Sequence, residues 1–206
     1  MCKGRYLFKL LSAPVVIFCI YACGGDIAKP SAKTVQRSAL KITDQPIRNK
    51  LRTTYMSQVG VREMTGRNDG VEVENYLKYV NLSKGNPWCA AFVCWALGEN
   101  EIENPRSGWS PDLFPKNKII WERSKKITDL TNEMPSEVIL QGDVFGIYFT
   151  DKKRIAHCGF VDQANKSWII TVEGNTNDTG GRDGDGVYRK RRLLNTIYTI
   201  SSWQKQ

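Results

Sequence analysis

Residues 86–95 read NPWCAAFVCW, an almost unbroken apolar run with a proline near its start and cysteines at positions 89 and 94. Coiled into a helix, this run presents apolar side chains on every face, the mark of a helix buried on all sides at the centre of a fold. Proline favours the first helical position, so Pro87 puts Cys89 about two residues later, in a first turn whose N–H groups lack helical acceptors. The positive end of the helix dipole favours a thiolate there. Cys94 lies about 140° further round the helix and more than a turn deeper. It cannot share a cleft with Cys89 and reads as a small core residue.

Upstream, apolar residues recur at Ile47, Leu51, Tyr55 and Val59, which predicts an amphipathic helix ending before Gly60 or Gly66. Val73, Tyr76, Leu77 and Val80 repeat the pattern and predict a second helix over about 70–80, with Asp69 and Glu72 placed to cap its start. Downstream, residues 100–117 (NEIENPRSGWSPDLFPKN) carry three prolines and read as a long ordered loop of the kind that shapes clefts. Trp109 and Phe114 in it either wall a glycan or peptide site or pack over the helices. Beyond residue 138 the period changes. DVFGIYF, IAHCGFV, SWIITVE, VYRKRRL and TIYTISSW are short runs rich in β-branched and aromatic residues between turn signals. Three helices followed by a five-stranded antiparallel sheet make an α+β architecture.

The N-terminus has the layout of an export signal. Lys3, Arg5 and Lys9 precede the apolar stretch Leu10 to Ala22, which is too short to span a bilayer as a helix. Ile20-Tyr21-Ala22-Cys23 resembles a bacterial lipobox, which implies a signal over 1–22 and a lipid-modified Cys23; a plain secretory signal cleaved nearby is the alternative. Residues 23–46 are polar and mixed and read as a flexible tether, leaving 47–206 as a single domain, in keeping with a 206-residue chain that is 41% hydrophobic. The whole chain carries +9 at neutral pH. Without the three basic residues of the signal, 27 basic residues face 21 acidic ones, about +6. An exported basic protein with no nucleic-acid motif points to an anionic wall polymer as partner.

His157 is the sole histidine, so any Cys-His mechanism must use it. In a regular strand IAHCGFV, His157 shares a face with Ile155, Gly159 and Val161, while Cys158 faces the other way with Ala156 and Phe160. That facing argument sets aside a zinc site built from Cys89, Cys94, His157 and Cys158. A cysteine at a helix N-terminus beside a histidine is the arrangement that makes a thiol nucleophilic. Glu173, which closes the next strand, is the expected orienter of the imidazole, and Asn175 a helper.

The succession NPWCAAFVCW, GDVFGIY, IAHCGFV, TVEGN, over about Arg48 to Trp203, resembles the CHAP group of cysteine, histidine-dependent amidohydrolases and peptidases, within the wider NlpC-like papain-fold superfamily. The resemblance implies a papain-like fold with Cys89 as nucleophile, His157 as base, and Glu173 and Asn175 completing the site. GVREMTGRNDGVEVENYL is similar to a helical lead-in of one subset, which suggests Glu63 and Asn68 as cleft residues; capping and surface roles are the alternative. Trp88 and Trp109 join them as candidate substrate-binding residues. The implied reaction is hydrolysis of peptidoglycan amides through a thioester, as an N-acetylmuramoyl-L-alanine amidase or a stem-peptide or cross-bridge endopeptidase. No cofactor or metal is called for. The expected setting is the bacterial cell envelope, the protein a monomer held to the membrane by a lipid anchor on Cys23, with peptidoglycan as partner and no nucleic acid. A non-catalytic lipoprotein binding wall peptides, or a thioester-forming acyltransferase, would use the same cleft.

Two features carry alternative readings. Asp178, Asp183 and Asp185, in the glycine-rich stretch 175–186, read as a hairpin loop or as a calcium loop. The run RKRR at 189–192 reads as the protection of an edge strand or as polymer contact.

Overall fold

The computed structural model describes residues 32–124, 135–180 and 184–204. The proposed signal and Cys23 lie outside the described residues. Helix α1 (Ala32–Ser57) begins within the segment expected as tether and carries Pro46 inside it. Its side chains enter the core from Ile47 onward, with Arg48, Leu51 and Tyr55 fully covered. Helix α2 (Val71–Tyr79) lies where the periodicity predicts it, but not with the predicted cap. Its N-cap is Gly70, at φ 110°, a conformation that only glycine adopts readily. Asp69 turns back to bond the Thr65 amide and hydroxyl at 2.9 and 2.7 Å. Helix α3 (Cys89–Gly98) has Trp88 as N-cap, so Cys89 is itself the first helical residue and Pro87 stands before the helix rather than in it. All of α3 except Trp95 and Gly98 is buried.

The sheet has six strands rather than the five expected: β1 (Ile119–Glu122), β2 (Val144–Phe149), β3 (Arg154–Ala164), β4 (Trp168–Thr176), β5 (Gly186–Leu193) and β6 (Thr199–Ser201). A one-turn helix α4 (Pro135–Val138) precedes β2. The strands are antiparallel in the order β1-β6-β2-β3-β4-β5. The added strand, IIWE, pairs with β6, eighty residues away, and is half-buried at every position, so it shows no period-two alternation. The architecture is α+β, three N-terminal helices followed by an open antiparallel sheet packed against α3. One core fills the space between the helices and the sheet, where Tyr76 lies against Trp88, Phe92 and Trp95, and Phe92 against Phe160. A smaller core of Phe145, Val161, Ile169 and Ile200 covers the other face.

The approach of α3 depends on Gly174 in β4. A Cβ there would lie 2.6 Å from the Trp88 ring and 2.9 Å from Phe92 Cβ, so no larger residue lets the helix sit at this distance. The register of β2 and β3 is interrupted once: Ile147 pairs with His157 but Tyr148 with Ile155, which makes Ala156 the extra residue of a β-bulge. Strict alternation therefore fails here. Ile155 joins the helix-side core with Cys158 and Phe160 instead of sharing a face with His157.

Candidate active site

Cys89 stands at the tip of α3, where its N–H is one of those a helix leaves without an internal acceptor. His157 comes from β3 just after the bulge and hydrogen-bonds the Cys89 thiol. The other side of its ring, Nε2, lies 2.8 Å from Glu173 Oε2. The ring packs edge-on to Phe145. Gly159 makes this stacking possible, because a Cβ there would meet the Val172 carbonyl at 2.7 Å, Phe145 at 2.9 Å and Glu173 Cγ at 3.1 Å. Glu173 is fully buried and its carboxylate is saturated. Arg192 Nε and Nη2 each donate to it at 2.5 Å, and the Thr171 hydroxyl donates as well.

Two residues that touch the nucleophile were not anticipated. The Ser110 hydroxyl, on a 3-10 turn (Ser110–Leu113) in the proline-rich loop, lies 3.6 Å from Cys89 Sγ. Cys158 also hydrogen-bonds Cys89, although it is a core residue facing away from His157. Cys94 is buried, as predicted, and its thiol donates to the Ser107 carbonyl at 3.5 Å. Burial pushes that thiol up to about 11.

The electrostatics divide the cysteines. Hydrogen bonding from Cys158, together with that from His157 and Ser110, outweighs burial and holds the Cys89 thiol well below the ordinary thiol range. Burial and the bond to Cys89 push Cys158 well above it. Burial alone would lower the imidazole pKa, but the bonds to Cys89 and Glu173 prevail and raise His157 to about 9. Burial would likewise raise Glu173, but Arg192 and His157 hold it far below the usual carboxylate range. At neutral pH the site is a thiolate–imidazolium pair backed by a carboxylate.

The remaining sequence candidates fall into three settings. Glu63, Asn68 and Asn175 line a cavity of about 270 Å³ together with Cys89 and His157. Glu63 accepts the Asn68 amide and the Trp88 indole N–H, each at 2.8 Å. Asn175, in the left-handed region at φ 53°, donates to Asn68 Oδ1 at 3.0 Å. It lines the same cavity as His157, and among the described residues it makes no hydrogen bond to the imidazole. Trp88 is not a substrate contact: it is completely buried, and its role is to hold Glu63. Trp109 is half-exposed and walls a second cavity, on the other side of Cys89.

The run at 189–192 does form an edge strand, with Arg189 and Arg191 exposed and Lys190 and Arg192 partly buried, and its arginines are partnered. Arg192 holds Glu173, Arg189 binds Asp162 at 2.8 Å, and Arg191 lies over Trp168. Of the three aspartates in the β4–β5 hairpin, Asp183 lies outside the described residues and Asp185 accepts the Tyr188 hydroxyl at 2.7 Å. Comparison with protein families, curated proteins and solved structures gives no match to this chain.

Proposed function

We propose that this protein is a cysteine amidohydrolase or peptidase of the CHAP type, with a papain-like arrangement of helix and sheet, acting on amide bonds of peptidoglycan in the bacterial cell envelope. The observation that carries the reading is the single row Cys89, His157, Glu173, Arg192, in which each group fixes the charge of the next. The row ends in a cleft open on both sides of the sulfur, as a polymer substrate requires. The basic charge of the chain suits an anionic wall. The export signal and a lipid on Cys23 would hold the enzyme at the envelope.

In this mechanism the Cys89 thiolate attacks the amide carbonyl carbon, and the electron pair moves to oxygen, where the Cys89 N–H stabilises it. His157 then gives its proton to the departing amine as the C–N bond breaks, leaving a thioester on Cys89. The neutral imidazole next takes a proton from water, whose oxygen attacks the thioester and restores the thiolate. Glu173 keeps the ring oriented throughout and favours its charged form whenever it holds the proton, and Arg192 keeps Glu173 ionised.

Purified peptidoglycan is digested with the protein and with its Cys89→Ala form, and the soluble fragments are identified by mass spectrometry. New termini produced only with the intact cysteine are expected, and their identity names the bond. Identical fragment profiles from the two folded proteins would overturn the reading. Transfer of the acyl group to an added amine in preference to water would make the enzyme an acyltransferase.

A further inference from the structure

The groove on the Trp109 side of Cys89 has a chemistry different from the Glu63 side. It measures about 510 Å³, and its lining includes Val80, Leu82, Trp109, Arg106, Lys152 and Arg154. Three cations thus line a partly apolar cavity whose lining contains no carboxylate, Arg106 standing between it and a neighbouring cavity that holds Tyr79 and Glu99. Asp112, on the neighbouring turn, is bound by the Ser107 hydroxyl at 2.5 Å. The opposite cavity has one cation, Lys152, shared between the two, and it contains Glu63, Asn68 and Asn175.

Arg154 is built to recognise an anion. Its guanidinium carbon lies 3.8 Å from the centre of the Trp109 ring, a cation–π contact that braces the head group on the indole. Among the described residues its one hydrogen bond runs from Nη1 to the Ile155 carbonyl, which leaves the Nε and Nη2 donors along the exposed edge. Arg106 is steadied in the same manner, with its guanidinium 4.8 Å over Tyr79 and its Nε donating to the Tyr79 hydroxyl at 3.2 Å. Two arginines braced on aromatic rings lose little freedom on binding and present planar donor pairs that match a carboxylate.

We propose that this groove is a subsite for a carboxylate-bearing peptide segment adjoining the bond to be cut, with Arg154 and Arg106 binding the carboxylate and Trp109 and Leu82 covering the apolar part beside it. The proposal rests on the reading of Cys89 as an amide-cleaving nucleophile only for the word adjoining. The two cavities then impose a direction on the substrate, the acidic segment lying toward Trp109 and the neutral, hydrogen-bonding segment toward Asn68.

The test is binding of stem peptides released from purified wall to the full Cys89→Ala protein, which does not consume them. The peptides are offered with their carboxylates free or converted to carboxamides, and affinities are measured by calorimetry at low salt. A charge-assisted pair predicts a preference of about tenfold or more for the carboxylate form. Arg154→Gln or Arg106→Gln should each shrink that preference severalfold, with Arg154→Lys retaining part of it, while Trp109→Ala weakens both forms. Equal affinities for the two forms, including no binding of either, overturn the subsite, as does a preference indifferent to both arginine substitutions. Wall digestion without a carboxylate preference would leave the hydrolase reading standing and remove this one. A carboxylate preference without digestion would do the reverse.

Discussion

At the scale of single residues, the site is a problem in where one proton resides. Cys89 ionises well below the ordinary thiol range and His157 holds its proton up to about 9, so the reactive pair exists between those limits. In the proposed reaction, attack fails as pH falls through the Cys89 value and the thiolate is protonated. As pH rises through about 9 the imidazolium is lost, and with it the acid for the departing amine. The kcat/KM profile of the proposed hydrolysis should therefore have an acid limb well below the ordinary thiol range and an alkaline limb near 9. Glu173→Gln removes the carboxylate that bonds Nε2, and with it part of what raises His157, so the alkaline limb should move down toward the ordinary imidazole value while kcat drops. A profile that keeps its limb in the variant would show that Glu173 is not what charges the ring. Gly159→Ala probes the same row sterically: it presses on the Val172 carbonyl and the Glu173 side chain, at a cost of about 1–3 kcal/mol by overpacking, and should lower kcat further than that instability explains.

At the scale of elements, the position of Cys89 is set by how closely α3 lies on β4, and Gly174 decides that. Gly174→Ala should force the tip of α3 outward, slow alkylation of Cys89 by iodoacetamide at neutral pH, and lower Tm by several degrees for a cost of about 1–3 kcal/mol. Unchanged alkylation would mean that the helix tilts without moving its first turn. The central helix was legible because NPWCAAFVCW is apolar all round, and His157 and Glu173 because the chain has one histidine and the run SWIITVE one carboxylate, although β4 continues past Glu173 to Thr176 instead of closing there. What escaped reading depends on contacts that period and spacing do not encode. Arg192 reaches Glu173 diagonally across the β4–β5 ladder, four positions from the residue paired with it. Ser110 arrives from a loop whose path has no period, and the Ala156 bulge breaks the alternation that placed Ile155 on the face of His157. Trp88, expected among the substrate-binding residues, lies underneath the site, packed against Tyr76 and Gly174.

At the scale of the whole molecule, α1 lines neither cavity and yet ties the sheet together through two ionic clamps, one on the buried Asp162 with partly exposed arginines and one wholly buried. Asp162 on β3 receives Arg52 from α1 at 2.7 Å and Arg189 from β5 at 2.8 Å. Arg48 lies 2.9 Å from Asp143, with both side chains essentially without solvent, and also donates to the Gln141 carbonyl and to Ser202 next to β6. Such a pair adds little over an apolar substitute, but removing one partner strands the other charge. Arg48→Met should therefore cost about 3–5 kcal/mol, a large share of the roughly 5–15 kcal/mol by which a domain is stable. Arg48→Met with Asp143→Asn should recover part of that loss, because neither charge is then stranded and the two effects couple. Urea unfolding of the two single variants and the double variant measures the coupling, and strictly additive costs would mean that Arg48 acts through its other partners rather than through Asp143. Activity supplies the second reading. Below the unfolding transition the surviving folded fraction should retain its alkaline limb near 9, since α1 holds the platform on which Cys89 and His157 meet without touching their charges.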